Sequence, residues 1–334
     1  MTDKQVVNIL IPVIDKKVYI TQNLQLPDEG CGYVSLSTTN TIEYHPFCDD
    51  FGPVNIDNIT TFIRLLDAKL SASKNRIVIY SVQPAKRALT NAVFLVGAYM
   101  IVSRRVPWTE VSHRLGSIFA RLVEPYRDAT WTAADFHLTL DDCWKGLERG
   151  VKAEWVALPT EERPYLWGKI DIRQYQLFDD PRLADMHEVI PCKIIAFKGP
   201  VDNALVSMNP VYHHSAVHYS QILVIFGVTD MICLVEPEYD PQVFEAFGIR
   251  FHYLAFPENT APSASVVRSF LHIIEYAVGL VAVHCRSGLG RTGTLIALKN
   301  MFITEFSLKL DPPQSSLRPW HGHRRRSASI GADE

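Results

Sequence analysis

Apolar residues recur along this chain in two rhythms. The short β-branched runs Val6–Ile14, Lys17–Thr21, Ile194–Phe197, Leu223–Phe226 and Met231–Val235 read as strands. Ile56–Leu70, Trp108–Leu122, Phe136–Gly150 and Ser263–Val278 repeat their apolar residues with helical period. Strands alternating with helices predict an α/β fold built on mostly parallel sheets. One unit of that pattern occurs twice. Ile77–Ser81 runs through a loop to Arg87 and the apolar Asn91–Met100, and Val281–Cys285 runs through a loop to Arg291 and the apolar Thr294–Ile303. In each, five residues separate the strand end from the arginine. The echo predicts two copies of one fold.

Pro159–Pro191, rich in charge and aromatics, reads as the linker between the copies. The expected domains are residues 1–158 and 192–308, with 159–191 between them. Residues 309–334 include His323-Arg-Arg-Arg-Ser-Ala-Ser, and they read as a disordered basic tail. Its Arg324–Ser329 segment fits a nuclear address, a basophilic-kinase site or a plain solvated end.

Composition narrows the function classes. The chain has 334 residues, 47% hydrophobic, with a formal net charge of −3. That length suits about two domains, and a near-neutral balance argues against a nucleic-acid partner. No apolar run approaches the ~20 residues that span a bilayer, so no membrane span is expected, and Met1-Thr2-Asp3-Lys4 opens no secretion signal. Cys31, Cys48, Cys143, Cys192, Cys233 and Cys285 form no CxxC pair. A reducing location, cytoplasmic or nuclear, is therefore expected.

The sharpest chemistry is His284-Cys285-Arg286-Ser287-Gly288-Leu289-Gly290-Arg291-Thr292-Gly293. A loop between a strand end and a helix start aims backbone N–H groups into one concavity, which suits an anion. A cysteine at its base feels that potential and is populated as thiolate at neutral pH. Arg291 can hold two oxygens of a tetrahedral oxyanion, and Thr292 can offer its hydroxyl to the sulfur. Arg286, Ser287, Gly288, Leu289, Gly290 and Arg291 would line the phosphate cradle. Nucleophile, cradle and clamp at this spacing suit phosphoryl transfer through a phosphocysteine. The first copy has Ser81 and Pro84 where the second has cysteine and glycine.

These residues resemble the cysteine-based protein phosphatases, and His284–Thr294 is most similar to the cell-division-cycle-14 type. Phe51–Asn55, Gly97–Met100, Pro125–Ala129 and Ile190–Pro200 extend the resemblance over most of residues 45–306. It implies two tandem phosphatase-like domains, each a mostly parallel sheet flanked by helices, the first lacking the catalytic cysteine. It implies hydrolysis of phosphoserine or phosphothreonine, before proline, and of phosphotyrosine, with cyclin-dependent-kinase targets among the phosphoprotein substrates. It implies no cofactor and no metal, so His213, His214 and His218 read as loop or core histidines.

Several positions depart from that family. Glu258, in Phe256–Ser263, stands where the family has its aspartate general acid, and Glu238 and Asp240 are the fallback carboxylates. Of the acidic linker run that reads a basic residue after the phosphosite, Gln174–Asp179 keeps only Asp179. Asp128 fits either the substrate groove or a local turn. Past Ser307 the family's supporting C-terminal segment has no counterpart, which leads us to expect a shortened protein that forms phosphocysteine faster than it hydrolyses it. A phosphopeptide-binding scaffold with little turnover is thus the alternative to an enzyme. A phosphoinositide phosphatase is a third reading, but it would want more loop charge than Arg286 adds.

Overall fold

The computed structural model describes residues 9–307 apart from 23–31, 43, 45, 47–48, 74–75, 129–132, 135 and 209–212. The expected tail, 309–334, lies outside the described residues. Two sheets organise the chain. The first holds β1 (Ile9–Ile14), β2 (Val18–Gln22), β3 (Tyr33–Ser37) and β4 (Ile77–Val82) in the order β1-β2-β4-β3. Helix α1 (Ile56–Ser73) precedes β4 and α2 (Lys86–Val102) follows it. A helical stretch continues through α3 (Trp108–Val111), a π-turn at Ser112–Gly116 and α4 (Ser117–Phe119). The ribbon of β5 (Tyr126–Arg127) and β6 (His137–Leu138) leads to α5 (Leu140–Lys152).

A second ribbon, β7 (Leu166–Trp167) with β8 (Ile170–Asp171), and α6 (Ile172–Asp179) bring the chain to the other sheet. Its strands are β9 (Met186–Ile190), β10 (Ile194–Phe197), β11 (Val228–Cys233), β12 (Arg250–Tyr253) and β13 (Leu280–His284), in the order β12-β11-β13-β10-β9. Its helices are α7 (Asn203–Met208), α8 (Ala216–Phe226), α9 (Gln242–Ala246), α10 (Ala264–Tyr276) and α11 (Gly290–Ser307).

The echo in the sequence is an echo in topology. β1 pairs antiparallel with β2, while β2–β4 and β4–β3 are parallel. β9 pairs antiparallel with β10, while β10–β13 and β13–β11 are parallel. The orders β1-β2-β4-β3 and β9-β10-β13-β11 therefore match in sequence and in direction, and β12 is an extra parallel edge. β4 and β13, the strands of the echo, occupy the same place between two parallel neighbours.

Each core follows from its sequence. Every residue of α2 from Leu89 to Val102 is buried, as expected of a helix apolar on all sides. In the second sheet Met231, Cys233 and Ala282 face α8 and α9. Ile232, Val281 and Val283 face the other way, with Phe270 and Ile274 of α10. Burial on both faces is what near-continuous apolar strands require. α6 touches both halves: Ile172 and Tyr175 join the first core and Phe178 the second.

Two expected elements differ. Leu223–Phe226 is the last turn of α8, not a strand. Ser215 accepts the His218 N–H to start that helix, and Gly227, at φ 78°, stops it. A four-residue apolar run looks the same in either element, and only the caps decide. The helix expected from Phe136 begins at Leu140, because Thr139 and Asp142 close a capping box and His137–Leu138 pairs with β5.

Gly97 has no room for a side chain. A Cβ there would lie 2.2 Å from Nε1 of Trp144, which is fully buried and donates to the Phe94 carbonyl at 3.1 Å. Alanine would gain about 1 kcal/mol of helix propensity, but overpacking costs ~1–3 kcal/mol and the lost indole hydrogen bond about 1 more. Gly97→Ala should therefore destabilise the chain by about 1–3 kcal/mol in urea unfolding. A neutral or stabilised variant would show that the indole is not wedged against α2.

Candidate active site

The loop from Cys285 to Gly290 joins β13 to α11 and is held by backbone contacts with the end of β10. The Gly199 N–H donates to the Arg286 carbonyl at 3.0 Å, and a Cβ at Gly199 would lie 2.4 Å from the Cys285 carbonyl oxygen. From the other side, Gly288 has φ 75°, and a Cβ there would meet the Phe197 carbonyl at 2.6 Å. Both approaches need glycine.

His284 fixes a third carbonyl contact. It is fully buried, and Nδ1 sits 2.9 Å from the Cys285 carbonyl, which can only accept. Nδ1 therefore carries the hydrogen, and Nε2 accepts from the Tyr239 hydroxyl at 2.7 Å. Burial pushes the imidazole down to about 4, so it stays neutral at physiological pH. Tyr239 lies 45 residues before His284, and no local pattern in the sequence points to it.

Cys285 is 2% exposed. Burial alone would raise its thiol pKa, yet the thiol is held below its ordinary value. Hydrogen bonds to the sulfur from the Thr292 hydroxyl and from the Thr292 and Gly288 N–H groups, with the Arg291 charge, outweigh desolvation. The Thr292 hydroxyl is fully buried and makes no hydrogen bond that would draw it away from the sulfur. The other described cysteines go the opposite way: burial raises Cys143 to about 12, and it also raises Cys192 and Cys233.

Arg291 is largely buried, its Nη1 donating to the Phe256 carbonyl at 3.2 Å. That carbonyl belongs to the turn carrying Glu258, whose carboxylate lies 3.6 Å from Arg291 with 70% of its side chain exposed. Glu258 is thus brought to the clamp arginine. The fallback carboxylates are engaged elsewhere: Asp240 accepts the Gln242 N–H, and Glu238 accepts from Arg286. Leu289 is exposed at the rim, and Gly290 opens α11. No hydrogen bond of the Ser287 side chain helps define the cradle.

Neither groove candidate is hydrogen-bonded to this loop among the described residues. Asp179, at the end of α6, accepts from Asn55 at 2.8 Å and meets His187 of β9, so it ties the linker to both halves. Asp128 follows β5, with one carboxylate oxygen buried and unpartnered. His214 and His218 stack on one another, and their Nε2 atoms donate to the carbonyls of Pro181 and Leu183. No cluster suited to a metal ion occurs among the described residues, and none of their helices is long and apolar enough to cross a membrane.

The matching loop of the first sheet is built differently. Gln22 Nε2 donates to the carbonyls of Gln83 and Ala85, and Pro84 has no N–H. Arg87 is spent on Glu124 at 3.0 Å and Asp49 at 3.4 Å. Ser81 stands in the nucleophile's place.

Replacing Thr292 by valine should raise the Cys285 thiol pKa. A hydrogen bond to a charged group is worth ~1.5–3 kcal/mol, so alkylation by iodoacetamide near pH 6 should slow by about tenfold or more. An unchanged pH profile would remove Thr292 from thiolate stabilisation.

Comparison with known proteins places both halves. Residues 12–150 match the family model described as dual specificity protein phosphatase, N-terminal half. Residues 210–329 match that of the Swiss Army Knife protein, DSP-PTPase phosphatase domain. The chain is 30% identical over 296 residues to dual specificity protein phosphatase CDC14C of Homo sapiens, covering 86% of this chain and 63% of that protein. It is 32% identical over 273 residues to CDC14A of Homo sapiens, covering 78% and 44%. It is 26% identical over 309 residues to the tyrosine-protein phosphatase CDC14 homolog of Schizosaccharomyces pombe, covering 86% and 53%. The chain spans roughly half to two thirds of the length of these relatives.

Proposed function

The chain belongs to the CDC14-type dual-specificity phosphatase family, and on that footing we propose that it hydrolyses phosphoserine and phosphothreonine esters, preferring proline after the phosphosite, and phosphotyrosine. The observation that carries the proposal is the buried thiol of Cys285, the one described cysteine shifted toward thiolate, at the base of a loop whose Cys285 and Arg286 carbonyls are held by His284 and Gly199.

The chemistry follows from the placement. The Cys285 sulfur attacks phosphorus in line with the ester oxygen, forming P–S as P–O breaks. The loop N–H groups and Arg291 hold the three remaining oxygens. Glu258 gives its proton to the departing alkoxide, which would otherwise be a poor leaving group. Glu258 then takes a proton from water as the water oxygen attacks phosphorus and the thiolate leaves, restoring both groups. Thr292 offers its hydroxyl to the sulfur as the P–S bond breaks.

Cys285→Ser should abolish phosphate release from a phosphoserine–proline peptide while binding stays measurable, because the cradle and Arg291 survive. Arg291→Ala should lose both. Mass measurement after a single turnover should find phosphate on Cys285 of the parent. Turnover by Cys285→Ser comparable to the parent would overturn the nucleophile, and capture without any release would make the protein a binding module.

Glu258→Gln separates the acid from the nucleophile. General acid catalysis contributes ~100- to 10,000-fold, so alkyl phosphates should slow by about that much. p-Nitrophenyl phosphate should slow far less, since its phenolate departs with little help. An equal, small effect on both substrates would move the acid role to another residue.

A further inference from the structure

Arg286 follows the nucleophile, and its backbone is fixed by the Gly199 N–H. Its side chain leaves the cradle, 69% exposed, and Nη2 donates to Glu238 Oε1. Glu238 is placed there by the backbone, through a bridge to Val201 on the segment that continues from β10 beneath the loop. The other carboxylates of that turn are occupied: Glu236 by the Tyr253 hydroxyl at 2.6 Å and Asp240 by the Gln242 N–H at 3.0 Å. One cation at the mouth is therefore matched by one carboxylate aimed at it.

We propose that Glu238 is a specificity-determining residue, which by neutralising Arg286 makes the mouth favour phosphoesters with neutral or basic neighbours and reject those with a second anionic group. The inference rests on the phosphatase reading of the same site and names its substrate class. A free guanidinium one residue from the nucleophile would take a second phosphate bidentately. With Glu238 present, those donors are engaged, and a second anion must displace a carboxylate and meet its repulsion. A lysine beside the phosphosite instead finds that carboxylate at the rim. Solvent and salt screen an exposed pair, so it adds little to stability. Its effect falls on which ligand charge the mouth accepts.

The test uses the full chain carrying Cys285→Ser, so that binding is read without turnover. Three fluorescent phosphoserine–proline peptides serve as probes: one with neutral neighbours, one with a second phosphoserine two residues on, and one with lysine there. Glu238→Gln in that background should tighten the doubly phosphorylated peptide by about fivefold relative to the neutral one, and weaken the lysine peptide about as much. Both shifts should shrink at high salt. Glu238→Lys should move both ratios further in the same direction. Unchanged ratios, an equal shift for all three peptides, or no binding of any would overturn the inference. So would a selective loss on alkyl over aryl phosphates in the Glu238→Gln enzyme, which would make Glu238 the proton donor. If the binding ratios shift but the parent releases no phosphate, the phosphatase reading falls and this one stands.

Discussion

Backbone carbonyls turned away from a cavity leave their N–H groups turned into it, and the second half of the chain is arranged around that constraint. The Arg286 carbonyl is held by Gly199, the Cys285 carbonyl by His284, and Gly288 lies against the Phe197 carbonyl. Within the loop so held, the Gly288 and Thr292 N–H groups, the Thr292 hydroxyl and the Arg291 charge lower a buried thiol that would otherwise be raised. The sheet order serves the same end. β10 lies beside β13, so the strand leading to Gly199 runs parallel to the one leading to Cys285 and reaches the loop at its base.

The first half shows what the same topology does when that constraint is relaxed. β4 stands where β13 stands, and Arg87 follows Ser81 at the spacing of Arg291 and Cys285. There Gln22 draws two loop carbonyls to itself, and Arg87 is neutralised by Asp49 and Glu124. Strand, turn and helix survive without an anion cradle. The architecture is thus separable from the chemistry, which depends on a few backbone orientations and on what the loop arginine is paired with.

Neutral histidine and buried tyrosine complete the support. Tyr239 can only donate to the Nε2 of His284 if Nδ1 holds its hydrogen for the Cys285 carbonyl, so one hydrogen bond sets the other. The linker acts at longer range: Asp179 joins Asn55 of the first half to His187 of the second. Asp179, expected from the sequence to line a substrate groove, here takes part in joining the two halves.

Local signals in the sequence determined the strand–loop–helix unit, its repetition, the nucleophile and the clamp arginine. Cys285 and Arg291 lie in one loop, and loop chemistry at that range is written in residue type and spacing. Tertiary structure decided the rest. Leu223–Phe226 became helix because caps outside the run selected its hydrogen bonds. Asp240 and Glu238 were equal carboxylates in sequence, and only the fold gave one to a helix start and the other to Arg286. Gly199, Tyr239 and Gln22 make hydrogen bonds to residues 45 to 87 positions away, and no periodicity records them. Such contacts depend on which strands become neighbours, and the pairing of strands is a property of the whole sheet rather than of any one segment.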